Sequence, residues 1–177
     1  MYLRYLDLKK VRFIHGFARL EDSHTVEVNG ERIRTRDIII ATGSKPRTLP
    51  GVAVDGKWIM TSDHIVDVDE NIDSLMVVGA GVLGCEFASI FTALGTPVTL
   101  LDRSDRLLGN EDLDVSDLLT EIYQKNGIDV RRSARTKNIE LREGKVRTEL
   151  DDGSVMVTDR ALLSIGRVPS SGPLNLA

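Results

Sequence analysis

The chain has 177 residues, 41% of them hydrophobic and 28% charged, with a formal net charge of −4, which is long enough to bury about 70% of the unfolded surface in a globular fold. The acidic balance argues against nucleic acid or an anionic membrane surface as the main partner, and no apolar stretch has the length to span a bilayer as a helix. Cys85 is the only cysteine, so no intrachain disulfide can form; with an N-terminus, MYLRYLDLKKVRF, too polar for a signal peptide, this favours a cytoplasmic origin.

Residues 11–49 read as all-β. Residues 11–17 are a candidate strand, and the alternation over 24–28 predicts Thr25 and Glu27 outward with Val26 and Val28 inward. Asn29-Gly30 signals a tight hairpin, because both residues tolerate positive φ, and 31–35 is the returning strand. The apolar run 37–41, with three successive isoleucines, predicts a buried strand halted by Thr42-Gly43-Ser44. Residues 45–51 carry Pro46 and Pro50 and read as a linker. Within 58–73 a short helical turn starts at Ser62 or Asp63, both good N-caps.

The stretch 74–102 is the most informative. Residues 74–78 form a short apolar strand, and Gly79, Ala80, Gly81, Val82, Leu83 and Gly84 then give the spacing G-x-G-x-x-G. The first glycine permits a tight turn, the second lets main chain approach a diphosphate, and the third lets the next helix lie close to the strand. The helix start presents free N–H groups and the positive end of its dipole. A second strand, 97–101, ends at Asp102, where an acid can accept hydrogen bonds from a ribose 2′-hydroxyl. Strand, turn, helix, strand and acid in this order predict a dinucleotide site.

Further on, residues 111–125 place Leu113, Val115, Leu118, Leu119 and Ile122 near helical spacing, with Gly127 as the C′ glycine. Residues 128–131 predict a third parallel strand. Residues 137–141, 145–150 and 155–157 are separated by Glu143-Gly144 and Asp152-Gly153, which predicts a small antiparallel meander. Residues 161–165 are one more buried strand, stopped by Gly166. The expected fold class is α/β, a Rossmann-like doubly wound parallel sheet with a small antiparallel meander, preceded by a β-rich N-terminal piece.

Three signatures in order, IIIATGSKPRTLPG (38–51), VVGAGVLGCEFASIF (77–91) and LLSIGRVPSS (162–171), resemble the pyridine nucleotide–disulfide oxidoreductase flavoproteins. GCEFAS and DRSDRLL lean toward the transhydrogenase and dihydrolipoamide dehydrogenase branch. The resemblance implies a central fragment: residues 1–50 the end of a truncated FAD-domain segment, 51–168 an NAD(H)-binding domain, and 169–177 the return to the FAD domain. It implies FAD in the full-length parent only, hydride transfer between NAD(P)H and FAD there, and a homodimer formed through a C-terminal domain absent here. The isolated chain is expected to bind a nicotinamide dinucleotide without turnover, with no catalytic residue of its own. The alternatives are a stand-alone NAD(H)-binding or sensing module, and an S-adenosylmethionine or FAD site on the same fingerprint.

The candidate cofactor-binding residues are Gly79, Gly81, Val82, Leu83, Gly84, Asp102, Arg103 and Gly166, with Glu86 placed by resemblance beside the nicotinamide carboxamide. Gly16, Ala18 and Gly43 resemble backbone that touches the flavin in the family. A carboxylate facing a 2′-phosphate at ~4 Å costs about 4 kcal/mol at an effective dielectric near 20, so Asp102 predicts NAD(H) as the preferred cofactor. Arg103 and Arg106 keep NADP(H) as an alternative, because arginine is the residue that holds a 2′-phosphate; Arg103 otherwise reads as a solvated or adenine-stacking group. Cys85 reads as a small buried hydrophobe without a redox role. His15, His24 and His64 have no ligand spacing, so no metal is expected.

Overall fold

A computed structural model describes residues 11–176. Part of the polar N-terminus, residues 1–10, lies outside the described residues. The chain divides into two compact units, one formed by Met1–Lys45 with Pro169–Ala177 and the other by Pro46–Val168.

In the first unit, β1 (Ala18–Asp22), β2 (Thr25–Val28) and β3 (Glu31–Arg34) form an antiparallel sheet in the order β1-β2-β3. Val28 pairs with Glu31, and Asn29 and Gly30 take φ of 52° and 83°, the two left-handed residues that a type I′ hairpin needs. Three expectations are corrected. Residues 11–17 carry no strand; pairing starts at Ala18, and Phe17 is exposed. Thr25 points inward, because its hydroxyl donates to Asp22 Oδ2 at 2.9 Å, while Val26 is only half-buried. Residues 37–41 are neither a strand nor buried: Ile39 is 92% exposed, and no strand among the described residues lies beside it to cover the isoleucines or bond its main chain.

The chain leaves the first unit through β4 (Ser44–Pro46). The second unit contains β5 (Ile59–Thr61), α1 (Ser62–Ile65), β6 (Leu75–Val78), α2 (Val82–Ala93), β7 (Val98–Leu101), α3 (Leu113–Lys125), β8 (Asp129–Arg131), β9 (Thr136–Arg142), β10 (Lys145–Leu150), β11 (Val155–Thr158) and β12 (Arg160–Leu163), before β13 (Arg167–Pro169) leads out. Five of these strands make a parallel sheet in the order β5-β12-β6-β7-β8. The buried strand β5 escaped the sequence reading, since three residues are too short for a periodicity to show.

Side chains alternate across a strand, and β6 shows what each face meets. Leu75 and Val77 enter a core with Cys85, Ala88, Phe91 and Tyr123 of the two long helices. Met76 and Val78 enter a second core with Ile139, Val146 and Leu150, contributed by the antiparallel meander β9–β10–β11. The sheet is therefore covered by helices on one face and by the meander on the other. The chain winds β6 to β7 to β8 in one direction, then returns to place β12 on the other side of β6. That reversal puts the carboxyl ends of β6 and β12 side by side, the crevice where open α/β sheets bind ligands.

Helix α3 inverts the face its apolar spacing suggests. Its buried row is Ser116, Thr120 and Tyr123, each hydroxyl donating to a main-chain carbonyl: Ser116 to Leu107, Thr120 to Ser116 at 2.8 Å and Tyr123 to Cys85 at 2.7 Å. Leu118 and Ile122, by contrast, are 58% and 43% exposed. Close packing against Cys85 and Ala88 leaves room for polar groups that bond main chain; of the apolar residues at helical spacing only Leu119 packs against the core, and Leu113, Val115, Leu118 and Ile122 stay exposed. Tyr123→Phe should therefore cost about 1 kcal/mol, whereas Leu118→Gln should stay within about 0.5 kcal/mol of the parent. Urea unfolding measures both, and the reverse ranking contradicts this orientation of the helix.

Candidate functional site

The three glycines of the turn do different work, and a hypothetical Cβ at each shows which. Gly79 has φ of 105°, and its Cβ would lie 2.3 Å from Ser164 O, so the turn rests directly on the chain leaving β12. A Cβ at Gly84 would lie 1.8 Å from Gly79 O; helix α2 crosses the turn at a distance only glycine allows. At Gly81, which has φ of −76°, the added carbon would meet nothing within 4 Å beyond the adjoining backbone. The fold requires glycine at positions 79 and 84 and does not require it at 81.

The turn is held from the neighbouring strand. Gly79 N–H donates to Leu101 O at 2.7 Å. At the end of β7, Asp102 Oδ2 accepts the Ala80 N–H at 2.6 Å and Oδ1 accepts the Ser104 N–H at 2.7 Å. The main chain of the same residue donates to Arg131 O at 2.9 Å and accepts from Ala134 N–H at 2.8 Å. One aspartate thus ties together the glycine turn, the loop after β7 and the end of β8. Helix α2 begins at Gly81 with no side-chain cap, so the first-turn N–H groups of Val82, Leu83 and Gly84 keep no intrahelical acceptor, and the positive end of the dipole is unshielded.

The turn borders a cavity of about 820 Å³ within the second unit. Gly79, Gly81, Asp102, Arg103 and Gly166 line it. Gly81, Val82, Leu83 and Gly166 also line an adjoining recess of about 180 Å³ beside Ser62. Val82 is 61% exposed there, which removes it from the core. Gly84 is buried beneath the turn, and Glu86 is exposed on α2 without bordering either space. Ala18 opens β1, and Gly43, with φ of 75°, accepts a hydrogen bond from Ser170 N–H; both belong to the first unit.

The cavity also takes residues that the sequence reading passed over: Arg47, Ser164, Arg135 and Thr136. Ser164 lies just beyond the carboxyl end of β12, where a search of every strand end would have found it, and Arg135 lies in the loop from β8, directly before β9. Arg47 sits in the stretch read as a linker, where no local signal marks it. Its N–H donates to Gly166 O at 2.9 Å.

Cys85 faces the core. Burial pushes its thiol up to about 11, with the charges of Asp102 and Glu86 adding to the shift. A raised thiol pKa keeps the group protonated, and so unreactive, across the neutral range. The folded chain should accordingly resist iodoacetamide at pH 8, and urea should restore reaction at Cys85. Rapid alkylation of the native chain, followed by mass spectrometry, would contradict this placement.

Parallel sheet, reversal crevice and glycine turn define an α/β unit of the Rossmann type. Residues 2–175 match the family described as pyridine nucleotide-disulphide oxidoreductase, and the chain belongs to that family. It is 37% identical over 166 residues to a dihydrolipoyl dehydrogenase of Mycoplasma pneumoniae, covering 92% of this chain and 36% of that protein. It is 35% identical over 177 residues to a soluble pyridine nucleotide transhydrogenase of Vibrio vulnificus, covering 97% and 38%. Among solved structures, LpdA from Mycobacterium tuberculosis superposes with a TM-score of 0.82 at 30% identity, covering 99% of this chain and 42% of that one. The flavoprotein disulfide reductase RclA from Escherichia coli gives a TM-score of 0.79 at 26% identity, covering 98% and 41%. The chain spans a little over a third of the length of the curated relatives it matches.

Proposed function

We propose that the second unit binds a nicotinamide dinucleotide across the glycine turn, as the NAD(P)(H)-binding domain of an FAD-dependent oxidoreductase. The observation that carries this is the open space at Gly81. A residue that the fold leaves free to be anything is glycine, beside uncapped helix amides and at the mouth of a cavity, which is what a diphosphate needs from main chain.

In this reading the amides of Val82 and Leu83 hold the diphosphate, and the Asp102 carboxylate fixes the turn that aims them. The recess between Val82, Leu83 and Ser62 takes the nicotinamide end, its apolar walls excluding water from one side of the ring. Glu86, one turn further along α2, stands beside the carboxamide only in the whole enzyme. The bound nicotinamide supplies a hydride donor or acceptor, and this chain contributes binding and orientation. The first unit, with Ala18 and Gly43, belongs to the flavin side of the parent. With Ile39 uncovered there, the chain by itself holds FAD weakly and does not turn over.

Gly81→Val tests the site with little risk to the fold, because the new side chain enters open space in a backbone conformation that valine accepts. NADH binding, followed by the cofactor's fluorescence, should weaken by at least about 100-fold, or about 2.7 kcal/mol, with the melting temperature nearly unchanged. Unaltered NADH binding by the variant would overturn the proposal. So would a parent chain that binds S-adenosylmethionine or FAD and not NADH.

A further inference from the structure

No ionisable side chain lines the recess assigned above to the nicotinamide; its walls are glycines, apolar side chains, Ser62 and Ser164. One ion pair is attached to its rim. Arg167 follows the lining residue Gly166, and its Nη1 donates to Asp63 Oδ1 at 3.0 Å and to Ser62 Oγ at 3.3 Å. Ser62 is a wall of the recess, so the guanidinium stands one hydrogen bond away from the space. Asp63, next to Ser62, lies in the first turn of α1. The partners are 104 residues apart in sequence, one after β5 and one after β12, and they meet because those strands are parallel neighbours.

The side chains of Arg167 and Asp63 are 36% and 55% exposed, and an ion pair as open as this adds little to stability. Its consequence for the recess is electrostatic. A nicotinamide ring is cationic when oxidised and neutral when reduced, while the rest of the dinucleotide keeps its charge. A lone guanidinium at the rim opposes the oxidised ring, and a lone carboxylate attracts it. Bonded to each other, the two charges largely cancel at the ring. We propose that the Asp63–Arg167 pair determines specificity for the redox state of the bound dinucleotide: by keeping the rim close to neutral, it stops either ring form from being favoured there. The inference rests on the dinucleotide reading above and concerns which form of the ring is held.

Calorimetric titration of the 177-residue chain with NAD+ and with NADH, at one fixed low salt concentration, tests it. Asp63→Asn leaves the guanidinium uncompensated, and the NAD+-to-NADH affinity ratio should fall by at least about threefold. Arg167→Gln leaves the carboxylate uncompensated, and the ratio should rise by at least about threefold. The double variant Asp63→Asn/Arg167→Gln and the charge-keeping Arg167→Lys should both stay within about twofold of the parent ratio. Loosening of α1 weakens both forms together, so the ratio reads charge and not structure. A ratio unmoved in both single variants, or moved in the same direction by both, would overturn the inference and leave the dinucleotide reading intact. A parent chain that binds neither NAD+ nor NADH would remove both.

Discussion

The carboxylate of Asp102 is the constraint on which the site depends. By accepting the Ala80 N–H at 2.6 Å and the Ser104 N–H at 2.7 Å, it fixes a loop that has no side chains with which to fix itself. A glycine turn is entropically costly to hold in one shape, and hydrogen bonds to an ionised acceptor are among the stronger ones available. Gly79 N–H to Leu101 O and the contact of Gly79 with Ser164 O complete the restraint from both neighbouring strands. The result is a stretch of main chain whose donors are aimed before any ligand arrives, so binding does not have to order it.

The same economy of space explains the helix layer. Gly84 lets α2 cross the turn closely, and its small residues Cys85 and Ala88 then leave shallow ground for α3. What reaches that ground is a row of hydroxyls bonded to carbonyls of Leu107, Ser116 and Cys85. The bonds of Ser116 and Tyr123, which leave the helix, give it its rotational setting, and they do so without the bulk that a leucine row would bring between α2 and α3. Cys85 is sealed in this layer, which accounts for a thiol displaced far above its ordinary range.

Much of the second unit was legible in the sequence because its signals are local and redundant. The strand before Gly79, the spacing of the three glycines and the acid closing the next strand all lie within one short stretch, and each restricts the others. What escaped depended on partners distant in sequence. Residues 37–41 have the composition of a buried strand, yet a strand is buried only when neighbours pair with it, and none does so among the described residues. The apolar spacing of α3 located the helix but could not say which row faced inward, since Ser116 buries well once the Leu107 carbonyl accepts its hydroxyl and Thr120 once it bonds the Ser116 carbonyl one turn back. Arg47 and Arg135 entered the cavity from a linker and a strand end, and their convergence exists only in the folded chain. The acid at 102 was found, while its bond to Ala80 N–H was not.

The central claim is that the pre-set main chain from Gly79 to Gly84 meets the phosphates of a dinucleotide. Amide chemical-shift mapping of the 15N-labelled chain during an NADH titration tests it most directly. Saturable shifts should concentrate at Gly79–Gly84, at Asp102 and Ser104, and at Ser164–Gly166. Shifts confined to the antiparallel sheet of the first unit, or an unperturbed glycine turn at a concentration where NADH is bound, would contradict the account.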